Sequence, residues 1–243
     1  MPELPEVETI RRQLAAKIIG KKLNGQKIIN VRRRAKILFI DLANGSSLIF
    51  HLKLTGQLIF NAKPSVYTRK VFVFDDGSKL VFNDVRRFGW WKEMKDTSKL
   101  EKEFGPEALE VDLKTFSQLL KKKPKSKIKP LLMDQKFIAG IGNIYSDEIL
   151  FAAGVLPWRL VKTLTEDKIK KIHQNIKKVL TKALQYRGTT EQYYRDACGQ
   201  PGDYNQQLKV YQRGGQPCLI CGAKIKRVKI AGRSAHYCPH CQK

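Results

Sequence analysis

The tightest constraint on how this chain can fold lies near its end. Cys218-x2-Cys221 and Cys238-x2-Cys241 are two identical turns separated by sixteen residues. Each CxxC turn brings two sulfurs to one side of a tetrahedral ion, so the pair of turns matches the spacing of a four-thiolate zinc site. Two disulfides would use the same cysteines, but a reducing compartment disfavours them. Four protein ligands leave no open coordination position, so one structural Zn2+ is expected at Cys218, Cys221, Cys238 and Cys241. Between the pairs runs AKIKRVKIAGRSAHY, a basic β-hairpin pattern with Gly232-Arg233 near its tip. A tail this short cannot hold such a hairpin without the metal. His236 and His240 fall inside the segment but are surplus to four sulfurs. Cys198 stands alone in a polar loop and is given no role.

The rest of the chain divides by its pattern of apolar residues. Val7, Ile10, Leu14 and Ile18 share one helical face. Pro5 suits the first turn of that helix, and Glu6 and Glu8 sit where the positive end of the helix favours carboxylates. Residues 27–95 read as short antiparallel strands. KILFIDL and SLIFHLKL flank Asn44-Gly45, and VFVF and KLVF flank Asp76-Gly77, both hairpin signals. Near Gly105-Pro106 the pattern becomes helical: TFSQLLKK, SDEILFAAG, then a long helix from Thr165 to Tyr186. Ile169, Ile172, Ile176, Val179, Ala183 and Tyr186 form the stripe of that helix, and Gly188 supplies its stop. The expected boundaries are 1–105 for a β-rich domain, 106–212 for a helical domain with a polar loop, and 213–243 for the cysteine-bearing tail.

Charge narrows the partners. Lys and Arg total 47 against 22 Asp and Glu, a formal net charge of +25 in 243 residues. Such an excess repels itself unless a polyanion relieves it, and nucleic acid is the first candidate, ahead of an anionic membrane surface. The first twenty residues carry charges throughout and lack the apolar centre of a signal peptide. The longest apolar run, ILFAAGVLPW (149–158), is too short to span a bilayer. A soluble cytoplasmic protein with no membrane partner is expected.

Taken in order, several segments resemble the bacterial formamidopyrimidine-DNA glycosylase family, relatives of endonuclease VIII. They are MPELPEVET at the start, RRRAK (32–36), HLKLTGQL (51–58), DVRRFG (84–89), IKPLLMD (128–134), GIGNIYSDEILF (140–151) and the zinc hairpin. The resemblance covers nearly the whole chain. It implies an α+β fold of two domains: an N-terminal antiparallel β-sandwich with a leading helix, then a helix-two-turns-helix domain with the zinc-finger hairpin. It implies a monomer acting on duplex DNA that contains an oxidised base.

The roles it implies fall on particular residues. Loss of Met1 would leave Pro2 with a free secondary amine as nucleophile, with Glu3 as acid and base and Glu6 positioning the amine or relaying protons. Lys36 corresponds to the lysine at the lesion phosphate, and Asn143 and Arg233 to further phosphate contacts. Leu54, Arg86 and Phe88 are assigned to the gap left by the extruded nucleotide; Leu stands where the family usually carries Met. The stretch 188–211 falls where a loop closes over the lesion, and its polar, Gly-bearing composition suggests mobility. The segment before Arg32 is shorter than is usual in the family. An endonuclease VIII-like enzyme for oxidised pyrimidines is the nearest rival, and a non-catalytic zinc-ribbon DNA-binding protein is the rival from another class.

Overall fold

A computed structural model describes residues 1–243 and divides into two compact units. The first comprises Met1–Glu103 and Ala183–Gln206; the second comprises Phe104–Lys182 and Gln207–Lys243. The loop after the long helix thus belongs with the β-rich unit, whereas the sequence grouped it with the helices. The reason is packing: Tyr194 and Ala197 of that loop are buried in the core of the first unit. The zinc segment likewise shares a small core with Phe151 and Val210 of the second unit.

In the first unit, helix α1 (Leu4–Ile18) is followed by a five-stranded antiparallel sheet and a three-stranded one. The larger sheet runs in the order β1 (Lys22–Leu23), β2 (Gln26–Arg34), β3 (Ile37–Leu42), β4 (Ser47–His51) and β8 (Trp90–Met94). The smaller one runs β5 (Gly56–Phe60), β7 (Lys79–Asp84), β6 (Thr68–Val73). Both expected hairpins form, with Gly45 and Gly77 at positive φ in their turns. One core gathers Val7, Ile10, Leu14 and Ile18 of α1, alternate residues Leu38, Ile40 and Leu42 of β3, and Phe72, Leu80 and Phe82 of the smaller sheet. Phe50 packs edge-on against both Phe72 and Phe82, which ties the two sheets together. The outer side of β3 is closed by Arg32, whose guanidinium lies 4.2 Å from the Phe39 ring and bonds Asp41 and Glu101. Arg32 and Arg33 of the RRRAK segment therefore serve the fold, since Arg33 also pairs with Glu8.

The second unit holds α3 (Leu113–Lys121), α4 (Ile128–Met133), α5 (Asn143–Ala152) and most of α6 (Glu166–Gln185), then the hairpin of β9 (Lys226–Ile230) and β10 (Arg233–Tyr237). A short helix α2 (Ser98–Glu101) closes the first unit. No helix is long and apolar enough to cross a membrane.

Candidate active site

Strand register gathers the functional segments of the first unit at one end of its larger sheet. Ile37 pairs with His51, and His51 pairs with Trp90. Three segments therefore emerge side by side: the β2–β3 turn with Lys36, the loop after β4 with Leu54, and the segment before β8 with Arg86 and Phe88. Glu8 of α1 reaches Arg33 beside that turn, so the helix start lies at the same end.

The start of α1 is held tightly. Pro2, Glu3 and Glu6 are buried. Glu3 is the N-cap and Glu6 stands three residues into the helix, an arrangement in which the later carboxylate reaches back to the cap. Glu6 Oε2 accepts from the Glu3 backbone N–H at 2.7 Å, and its Oε1 accepts from Thr189 N–H at 2.7 Å. The Tyr194 hydroxyl donates to the Glu6 carbonyl. Gly188 must be glycine on two counts: its φ is +84°, and a Cβ there would lie 2.5 Å from Glu6 Oε1. The Met1 ammonium lies 3.4 Å from Glu191 Oε2. Burial opposes ionisation of Glu8, yet hydrogen bonds from Arg11 and Arg12 hold its carboxyl below the usual range.

The loop after α6 is bonded to α1 and β5 between Tyr193 and Ala197. Gln13 donates to Asp196 and accepts from Ala197 N–H, both at 2.8 Å, and Gln57 donates to the Tyr193 carbonyl. Part of the polar composition here therefore serves anchoring bonds to α1 and β5.

Lys36 is buried directly after Ala35, which takes a positive φ and whose carbonyl accepts from Arg33. Beside it His51 Nδ1 accepts from Lys53 N–H at 3.0 Å. Burial first, then the charges of Lys53 and Lys36, pull the His51 pKa down to about 3, so its ring is neutral at physiological pH. Phe88 is 54% exposed, and the Arg86 guanidinium stacks 5.0 Å from its ring. A half-exposed aromatic capped by an arginine is no part of the core; it is available to a partner.

The second unit, taken by itself, holds two of the residues singled out in the sequence, Asn143 and Arg233. Gly140 takes φ +104° in the turn before α5, and Gln135 staples that turn by accepting from Gly140 N–H and donating to the Ile141 carbonyl. Asn143 then begins the helix with its side-chain oxygen buried and without a hydrogen-bond partner. A half-turn about its last torsion exchanges oxygen for NH2, so an anion at the helix start would satisfy it. Arg233 is exposed just past the β9–β10 turn, where Ala231 and Gly232 both take positive φ.

That hairpin is fastened by a buried polar network that sequence reading missed. Lys129, 1% exposed, donates to Asp147 Oδ1 at 2.7 Å and to the Ser234 carbonyl at 2.6 Å. Asp147 Oδ2 accepts from His236 N–H at 2.9 Å and lies 3.1 Å from His236 Nδ1. His236 is thus an anchor for the strand that carries Arg233. Glu148 holds the approach to the zinc segment by accepting the backbone N–H groups of Lys209, Val210 and Tyr211. Its burial raises the carboxyl pKa, and those three amides work in the opposite sense.

The four cysteine sulfurs lie within 4.8 Å of one another, with Cys218–Cys241 at 3.9 Å and Cys221–Cys238 at 3.4 Å. Zn–S bonds of about 2.3 Å at tetrahedral angles require S···S separations of about 3.8 Å. The set fits one structural zinc.

Three family models match in succession: the formamidopyrimidine-DNA glycosylase N-terminal domain over residues 19–91, its H2TH domain over 104–194, and the zinc finger found in FPG and IleRS over 215–243. The formamidopyrimidine-DNA glycosylase of Pelotomaculum thermopropionicum is 42% identical, over all of this chain and 99% of its own. The chain belongs to the formamidopyrimidine-DNA glycosylase family. A second relative of that name, from Carboxydothermus hydrogenoformans, is 41% identical over the full length of both chains. Among solved structures, the Lactococcus lactis Fpg in complex with DNA containing an abasic site superposes with a TM-score of 0.91 at 34% identity, covering 99% of each chain. The Thermus thermophilus MutM (Fpg) protein gives 0.91 at 36%, covering 99% of this chain and 98% of its own. The glycosylase fold is therefore the expected one, α+β with a β-sandwich, an H2TH region and a zinc hairpin.

Proposed function

We propose that this DNA glycosylase and AP lyase of base-excision repair removes oxidised purines from duplex DNA with the Pro2 nitrogen as nucleophile. The observation that carries the reading is the fixed start of α1, where Pro2 is buried and the backbone N–H of buried Glu3 is held by Glu6. Removal of Met1 exposes the proline amine. An α-amino group titrates near pKa ~8 against ~10.4 for a lysine, so far more of it is neutral and nucleophilic at physiological pH. The nitrogen attacks the sugar C1′ and loses its proton as the C1′–base bond breaks. Glu3 then protonates the ring oxygen, the C1′–O4′ bond opens, and the nitrogen lone pair forms the C1′–N double bond. A secondary amine can form only a cationic iminium. That cation withdraws the electrons of the C2′–H bond, so loss of the C2′ proton expels the 3′ phosphate, and a second elimination expels the 5′ phosphate. Both oxygens of Glu6 are occupied by backbone amides, which suits positioning of the terminus better than proton relay.

A base that reacts at its sugar has to leave the stack. Lys36, Asn143 and Arg233 are each assigned a DNA phosphate. Leu54 and Phe88 fill the gap, and Arg86 donates to the orphaned base. Zinc orders the hairpin that carries Arg233 and takes no part in the chemistry.

Borohydride added during reaction with an 8-oxoguanine:C duplex tests this reading. Reduction of the iminium should join protein to DNA, and peptide mapping should place the bond on residue 2. Glu3→Gln should bind the duplex without excising the base. An adduct on Lys36, or normal cutting by protein that retains Met1, would refute the mechanism. A parallel duplex with one oxidised pyrimidine separates the two substrate classes.

A further inference from the structure

Two loops that are separate in sequence leave the smaller sheet from one rung. Gly56, which ends the Leu54 loop, pairs with Asp84, which begins the segment carrying Arg86 and Phe88. Asp84 is 1% exposed, and its carboxylate binds both loops from beneath. Thr55, also buried, donates its hydroxyl to Asp84 Oδ1. Arg86 N–H is shared between Thr55 Oγ1 at 3.0 Å and Asp84 Oδ1 at 3.2 Å. Gly89 N–H donates to Asp84 Oδ2 at 2.6 Å. The carboxylate therefore grips the backbone on both sides of Arg86-Arg87-Phe88.

That grip has something to hold. Arg87 sits at φ +60°, a conformation that costs energy for a residue with a side chain and persists only when its surroundings enforce it. Gly89 has no room for a Cβ, which would lie 2.9 Å from Asp84 Oδ2. Above this frame Arg86, Arg87 and Phe88 are exposed, and Arg86 and Phe88 stack on each other. Their placement relative to Leu54 is thus set through the Asp84–Thr55 pair below them.

We propose that Asp84 is a positioning residue that couples the Leu54 loop to the Arg86–Phe88 loop and thereby sets the preference for the base opposite the lesion. The inference rests on the reading of Arg86 as the residue that addresses that base. Discrimination by a guanidinium depends on fixed donor geometry; donors free to wander meet cytosine and adenine nearly alike. Asp84→Asn replaces one acceptor oxygen by a donor, which faces the N–H of Gly89 or the hydroxyl of Thr55. Thr55→Val removes the hydroxyl and keeps the shape, whereas Thr55→Ser keeps the hydroxyl.

Single-turnover excision from lesion:C and lesion:A duplexes gives a ratio in which the folded fraction cancels. Asp84→Asn and Thr55→Val should each lower the C-to-A ratio by about fivefold or more, within the range of one well-placed base contact. Thr55→Ser should keep the wild-type ratio, and Asp84→Asn should change nothing further in an Arg86→Ala background. A wild-type ratio in both Asp84→Asn and Thr55→Val, with the ratio lost in Arg86→Ala, would overturn this inference alone. A further drop in the double variant would also overturn it, because Asp84 would then act elsewhere. A wild-type ratio in Arg86→Ala would overturn the reading of Arg86 and this inference with it.

Discussion

The start of α1 and the zinc hairpin each present a residue assigned to DNA, Pro2 in one and Arg233 in the other, yet different forces hold them. Helix α1 inserts Val7, Ile10, Leu14 and Ile18 into a core drawn from both sheets, each no more than 1% exposed. Burial of four such side chains gives on the order of 6–12 kcal/mol before entropy is counted, and no ion is needed. Strand β9 buries one residue of five, Ile230. A hairpin with so little apolar area cannot hold itself, so four sulfurs and the Lys129–Asp147–His236 network take over. Large cores can fix an element through area alone; small ones need a few strong, specific bonds, and those bonds fail singly.

The largest test of that contrast is removal of zinc. Structural zinc contributes on the order of 10–16 kcal/mol in small domains, so chelation should abolish amide protection across β9 and β10. DNA affinity should fall at least tenfold with it, as about one to two phosphate contacts are lost. Protection of α1 and β2–β4 should persist. Hydrogen exchange with and without chelator reads both regions at once, and equal loss in α1 would erase the distinction drawn here.

A smaller effect is expected from the ionic network. Lys129→Met leaves the Asp147 charge buried without its cation, which typically costs about 3–5 kcal/mol. Urea denaturation should show that loss, and Lys129→Met with Asp147→Leu should recover part of it. If the single variant is as stable as wild type, the hairpin is held by metal alone.

The effect that is smallest near neutral pH is a pH dependence confined to the first unit. His51 is held near pKa 3 in the folded state against about 6.5 in the unfolded chain. Below pH 6.5 the unfolded chain therefore binds a proton that the folded chain refuses, so stability falls as pH drops from about 6.5 toward 3. His51→Asn, whose oxygen can still accept from Lys53 N–H, should flatten this part of the profile. Superimposable stability–pH curves for the two proteins would mean that His51 titrates freely.

Much of the site can be read from short stretches because the signals are local. Asn44-Gly45 and Asp76-Gly77 specify turns through their own φ preferences, and the two CxxC turns specify a metal through their own geometry. Proline beside two glutamates at a helix start is legible for the same reason. The apolar stripe of α1 is local as well: its period requires a helix whatever the helix packs on. The family resemblance added roles for Lys36, Asn143, Arg86 and Phe88, and the structure places Lys36, Arg86 and Phe88 at one end of one sheet.

What the sequence left undetermined are polar bonds between distant segments. Lys129 reaches Asp147 across 18 positions and Ser234 across 105, and Asp147 reaches His236 across 89. Thr55 meets Asp84 across 29, and Glu6 meets Thr189 across 183. In a chain with 47 lysines and arginines, nothing in the sequence separates buried Lys129 from its solvated neighbours. Turns and periodic faces depend on residues a few positions away, so the sequence by itself determined the zinc ligands, the hairpins and the helix start that carries Pro2. Which carboxylate braces which loop depends on where whole elements come to rest, and only the tertiary structure decided that, because a buried charge takes its role from the partners that folding delivers to it.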